Sequence, residues 1–204
     1  MKKFKLPFLV TALCLILFGT TQITNAQTVF ETTLSGSNEV PTVTTSANGN
    51  ITATLNDNEL TIECSFEGLS STYLFSHLHA GMAGEAGGVL FTLNATVDTD
   101  GKGGTYTTAN NTFTLTSGQV DTLKARGIYV NIHSETYGAG ELRGQLAPQA
   151  DVVFRTNVSG TQEVPAAKTM ASGALILELN GDSLFVSGSF NGLSSNYSAS
   201  HLHT

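Results

Sequence analysis

Residues 51–66 read ITATLNDNELTIECSF. Ile51, Ala53 and Leu55 alternate with Thr52 and Thr54. Asn56-Asp57-Asn58 then breaks the pattern, and Leu60, Ile62, Cys64 and Phe66 resume it. A period of two puts successive side chains on opposite faces of an extended chain, so each arm has one apolar and one polar face. Two such arms around an Asn/Asp turn make a β-hairpin. Cys64 falls on the inward face and is expected to be a small buried hydrophobe rather than a reactive thiol.

The same pattern continues on either side of the hairpin. Strands are expected over residues 29–34, 73–79, 89–93, 105–115, 127–133 and 141–147, separated by Gly, Asn and Ser turns. One short helix is expected over 118–125, with Thr116 and Gln119 at capping-box spacing. Short strands in this number predict an all-β fold, an antiparallel Greek-key β-sandwich with one short helix, with a closed barrel as the near alternative.

Aligned with itself at a constant offset of 124, the chain repeats with about 24 identities over about 51 positions. Glu39-Val40-Pro41 returns as Glu163-Val164-Pro165, Gly68-Leu69-Ser70-Ser71 as Gly192-Leu193-Ser194-Ser195, and Ser76-His77-Leu78-His79 as Ser200-His201-Leu202-His203. This is a tandem duplication, read as one domain over 27–148 and a second over 152–204. The second copy has no counterpart of residues 81–146, so the sequence is expected to be a fragment of a longer protein. Each complete unit, at roughly 120 residues, is long enough to bury its own core.

Residues 1–26 are set apart from the fold. Lys2, Lys3 and Lys5 precede an apolar run from Leu6 to Phe18, and Thr24-Asn25-Ala26 supplies small residues for cleavage. That is a secretory signal, too short to span a bilayer, and it implies a secreted, cell-surface or periplasmic protein. Loss of its three lysines takes the 9 basic residues to 6 against 16 acidic ones, a mature charge of −10 (6 minus 16). An acidic surface excludes nucleic acid as a partner, because phosphate binding needs clustered Lys and Arg. It favours cations instead. The expected partner is an extracellular protein or glycan, and no membrane span is expected in the mature chain. With Cys14 in the leader, Cys64 is alone and the fold must hold without an internal disulfide.

The five histidines carry the sharpest chemical signal: His77, His79, His133, His201 and His203. On a strand His77 and His79 share a face, about 6.5–7 Å apart at their bases, and His133 closes another strand with Asn131 on its own face. Three imidazoles on adjacent strands make a ligand set suited to zinc or copper. His201 and His203 form an incomplete version in the second copy. Asn131, Glu141 and Arg143 are candidates to hold the ligands in place from behind, and Glu135 or Glu141 could add a carboxylate. Two further readings stay open: the imidazoles serve only as hydrogen-bonding groups at strand ends, or they contact a ligand directly. The serines of Leu69-Ser70-Ser71 read as turn residues. No triad or paired-carboxylate motif is present, so no catalytic residue is assigned and the protein is read as non-enzymatic.

Ser76-His77-Leu78-His79-Ala80-Gly81, the strand at Val89-Leu90-Phe91, Tyr129-Val130-Asn131-Ile132-His133 and Gly140-Glu141-Leu142-Arg143-Gly144-Gln145-Leu146 together resemble the CHRD domain, named for chordin. The resemblance covers the first unit and the front of the second. It implies an extracellular, immunoglobulin-like β-sandwich acting as a binding or structural module. The H-x-H followed by a later strand histidine is also similar to copper–zinc superoxide dismutase, which implies a dismutase-like redox protein as the alternative. The complete unit has only three histidines, without a bridging ligand or a zinc cluster of its own.

Overall fold

The structure is a computed structural model that describes residues 27–203; the expected leader lies outside the described residues. The first three strands are β1 (Thr28–Ser35), β2 (Asn48–Asn56) and β3 (Glu59–Glu67). β4 (Tyr73–Ala80), β5 (Val89–Thr92), β6 (Thr96–Val97), β7 (Gly104–Tyr106) and β8 (Thr112–Thr114) follow. After helix α1 (Ser117–Lys124) come β9 (Ile128–Ser134), β10 (Leu142–Gln145) and β11 (Ala147–Pro148). The second copy contributes β12 (Val152–Ser159), β13 (Ser172–Asn180) and β14 (Ser183–Asn191).

The first copy is all-β and antiparallel, as the alternation predicts. Its strands lie in the order β5-β4-β9-β10-β1-β2-β3-β7-β6, with β11 on β1 and β8 on β3. This is one sheet, curled until its two ends face each other across a single core. Leu60, Ile62 and Cys64 of β3 share that core with Leu78 of β4 and Val130 and Ile132 of β9. The Tyr106 hydroxyl of β7 donates to Ser76 Oγ of β4 at 2.8 Å, tying the two ends of the path together. The result is sandwich-like, with a half-barrel bend where two flat sheets would otherwise meet.

The β2–β3 hairpin reads as expected. Leu55 pairs with Leu60 and Ile51 with Cys64, and Asp57 takes the left-handed conformation that closes the turn. Cys64 is buried and free. Thr116 Oγ1 accepts from Gln119 N and Gln119 Oε1 accepts from Thr116 N, a complete capping box on α1.

The strand expected over 105–115 is divided. Asn111, fully buried, turns the chain between β7 and β8 by donating to the carbonyls of Asn94 and Thr107 and accepting from Asn94 N. Both halves still pair with β3, at Cys64–Phe66 and at Glu59–Thr61. A buried asparagine with its own hydrogen bonds competes with the ladder, and alternation alone does not reveal that.

β12, β13 and β14 form a separate three-stranded sheet. Ile176 and Glu178 of β13 are buried against the first copy, where Glu178 accepts from Arg126 at 2.5–3.1 Å. Ser189 Oγ of β14 donates to the Ala83 carbonyl at 2.7 Å.

Candidate metal centre

β4 and β9 are neighbours in the sheet, and their register decides what meets. Phe75 lies opposite His133, His77 opposite Asn131, and His79 opposite Tyr129. Ser76 and Leu78 point into the core with Val130 and Ile132, so the alternate residues all emerge on the outer face. That face therefore carries His77 and His79 along one strand and His133 on the next, with Asn131 among them.

The three rings converge. Their centroids are 5.4 Å (His77–His79), 5.3 Å (His77–His133) and 6.2 Å (His79–His133) apart. One nitrogen from each lies within 4.8 Å of the other two. Ligand nitrogens around a tetrahedral zinc at about 2.0–2.1 Å are about 3.3 Å apart, so modest ring rotations would close the set on one ion.

Hydrogen bonds fix which nitrogens face inward. His79 Nδ1 is 2.9 Å from the Gly87 carbonyl and His133 Nδ1 is 3.1 Å from the Gly138 carbonyl. A carbonyl can only accept, so both Nδ1 atoms carry the proton and both Nε2 atoms present a lone pair. Those two Nε2 atoms, with His77 Nδ1, are buried without a hydrogen-bond partner. Backbone carbonyls holding the far nitrogen of a histidine are the usual means of orienting a metal ligand.

Burial favours the neutral form of all three imidazoles, the form that has a lone pair to offer. Burial lowers the His133 pKa to about 4, against a smaller rise from the Gly138 carbonyl and with help from the other two rings. Burial also lowers His77, aided by His79, and lowers His79 despite the Gly87 carbonyl.

The supporting shell is extensive. Tyr129 stacks on His79 with centroids 5.0 Å apart and planes 9° apart, and the Arg143 guanidinium lies 3.5 Å from the Tyr129 ring centre. Arg143 is buried and donates to the carbonyls of Glu85 (2.6 Å) and Met82 (2.8 Å). It thereby straps the 81–88 loop across the outer face. The loop in turn delivers the Gly87 carbonyl to His79, and Gly87 N donates to the Tyr129 hydroxyl at 3.0 Å. Only glycine fits at 87, since a Cβ there would collide with the Ala80 carbonyl oxygen.

Asn131 Nδ2 donates to both carboxylate oxygens of Glu39 at 3.0 Å. Burial drives the Glu39 pKa up to about 7, against the opposing pull of Asn131 and Arg143. Neither Glu39 nor the tyrosine stack is evident from motif spacing. The repeated Glu-Val-Pro triplet is the available signal for Glu39, and period-two alternation is the signal for Phe75 beside the histidines. The Phe75 ring is 4.5 Å from His133 and 5.1 Å from His77.

Other expectations are redirected. Glu141 meets neither the histidines nor Arg143. It is buried at the core end of the sheet, accepting from Thr45 Oγ1, Ser70 N and Oγ, and Ser134 Oγ. Burial alone would raise its pKa, but those donors hold it below the ordinary carboxylate value. The cause is that β10 begins at Leu142, so Glu141 belongs to the loop and follows Ser134 rather than Arg143. Glu135 is exposed. His201 and His203 are exposed, outside any strand, with centroids 5.9 Å apart.

A family model for the CHRD domain matches residues 30–146 and 154–204. The chain belongs to the CHRD domain family. Two matched segments, the second shorter, coincide with the duplication read from the sequence, and both histidine pairs lie inside CHRD-matched sequence. Searches of curated proteins and of solved structures return no match. Among the described residues no helix is long and apolar enough to cross a membrane.

Proposed function

We propose that this CHRD protein is a non-enzymatic, exported binding module whose first copy is organised around one transition-metal ion, zinc or copper, on His77, His79 and His133. The observation that carries the reading is a set of three rings that each offer a nitrogen within 4.8 Å of the other two, each ring also holding one buried nitrogen without a hydrogen-bond partner. Leaving buried acceptors unpaired costs about 1–3 kcal/mol each, and one cation would satisfy all three. A purely hydrogen-bonding role accounts for the Nδ1 atoms of His79 and His133 but leaves their Nε2 atoms without a task.

The remaining features agree with this reading. Imidazole suits zinc and copper, the acidic surface attracts cations, and the charged leader with its apolar run supports export. The ion would hold β4 and β9 together and present a fixed outer face to an extracellular protein or glycan.

Calorimetric titration of residues 27–204 with zinc chloride and with copper sulfate tests the proposal. One site per chain is expected, lost in His77→Ala and His133→Ala. Absence of saturable binding of either metal would remove the metal from the account. Copper binding accompanied by superoxide consumption would favour the dismutase-like alternative.

A further inference from the structure

The metal reading leaves one coordination position unassigned, and Asn131 lies at the middle of the face that would supply it. Asn131 is directly across from His77, two residues before His133 on the same face, and beside Tyr129, whose ring stacks on His79. Directly opposed residues have Cβ atoms about 4.5–5.5 Å apart and diagonal ones about 7–8 Å. All three histidines therefore border this one asparagine.

Its amide is held in one sense. The Nδ2 group donates to both Glu39 oxygens at 3.0 Å, and turning the amide over would set its oxygen against that carboxylate. Gly140 closes over the amide, where a Cβ would come within 2.5 Å of Oδ1 and 2.7 Å of Nδ2. Oδ1, the prong opposite the one fixed on Glu39, is buried without a hydrogen-bond partner in a residue only 4 % exposed. It is the fourth buried atom without a partner on this face, on the residue that the three histidines border.

Resting on the metal reading above, we infer that Asn131 Oδ1 is the fourth donor, giving a closed three-nitrogen, one-oxygen site, and that Glu39 is the positioning residue that aims it. A neutral amide oxygen leaves the full charge of a divalent ion in place; it is a harder donor than imidazole, so the three imidazoles select the metal and the amide oxygen only completes the tetrahedron.

The test uses cobalt(II) as the probe on residues 27–204, with Asn131→Leu as the main variant and sodium azide as a competing small anion. The wild-type cobalt form is expected to show tetrahedral visible bands that azide leaves unchanged. In Asn131→Leu the cobalt dissociation constant should rise by more than the about 10–100-fold typical of losing an outer-shell partner, and azide should now alter the bands by entering the vacated position. Glu39→Gln should weaken binding by a smaller factor without making the bands azide-sensitive, because the oxygen donor is retained.

Equal affinity and equal azide response in wild type and Asn131→Leu would overturn the assignment while leaving the three-histidine site standing. No cobalt binding by the wild type, together with none of zinc or copper, would overturn the metal reading itself. If Asn131→Leu does not fold, zinc added to labelled wild-type protein decides the matter by NMR. The Asn131 side-chain carbonyl carbon should shift with one equivalent, and an unmoved resonance would refute coordination.

Discussion

In the metal-free protein, Glu39 and His133 should drive stability in opposite directions as pH falls, and Glu39→Gln should expose the difference. His133 is depressed from 6.5 to about 4, so its stabilising neutral form is fully present above about pH 6.5 and is lost as pH falls toward 4. Glu39 is raised from 4.5 to about 7, so its contribution is present below about pH 4.5 and is lost as pH rises through 7. A tenfold change in protonation equilibrium is worth about 1.36 kcal/mol. Between about pH 7 and about pH 5 each group therefore contributes about 2 kcal/mol in opposite senses, reduced to about 1–2 kcal/mol by solvent screening. His77 and His79, both lowered, add to the histidine side. Urea unfolding in EDTA should therefore give a wild-type curve in which the Glu39 and His133 contributions largely offset each other, leaving a shallow loss toward acid from His77 and His79. Glu39→Gln should lose about 1–2 kcal/mol on acidification, and His133→Gln should gain stability instead. A Glu39→Gln curve that is flat, or that rises toward acid, would refute the opposition and with it the buried placement of the two groups.

Zinc should stabilise the folded chain by mass action, by about 3 kcal/mol at a free concentration about 100 times its dissociation constant, and scanning calorimetry should show no such shift in His79→Ala. Gly140→Ala should cost about 2 kcal/mol or more in urea unfolding. Residue 140 has φ +135° and its Cβ would strike the Asn131–Glu39 pair, so the same variant should also bind zinc more weakly by calorimetry. Leu78→Ala, which empties a fully buried position between the two histidines, should destabilise by about 2–5 kcal/mol while leaving the zinc stoichiometry at one. Thr116→Ala should cost about 1 kcal/mol through loss of the α1 cap, with zinc affinity unchanged.

The strand content and the hairpin were legible because Ile51 to Phe66 alternates on both sides of its turn and no competing helical period exists. The capping box at Thr116 and Gln119 was legible for a similar reason, since its signal is local. The histidine face was legible in part: alternation places His77 and His79 together, but only the β4–β9 pairing brings in His133, and single-sequence periodicity carries no pairing partner. Glu141 shows the limit. Its place in the expected strand 141–147 suggested a role beside the histidines, whereas a strand starting one residue later sends the carboxylate to Ser70 and Ser134. Glu39, about 90 residues before Asn131, belongs to the same limit, as does Tyr129 as the bridge between His79 and Arg143. Contacts of that separation are made by the curl of the sheet, which no local pattern encodes.

The most direct measurement is anomalous diffraction at the zinc absorption edge from crystals of residues 27–204 grown with one equivalent of zinc. The account predicts a single strong peak on the outer face of β4 and β9, about 2.0–2.1 Å from one nitrogen each of His77, His79 and His133. Zinc bound elsewhere, with these three rings still facing one another around an empty centre, would contradict it.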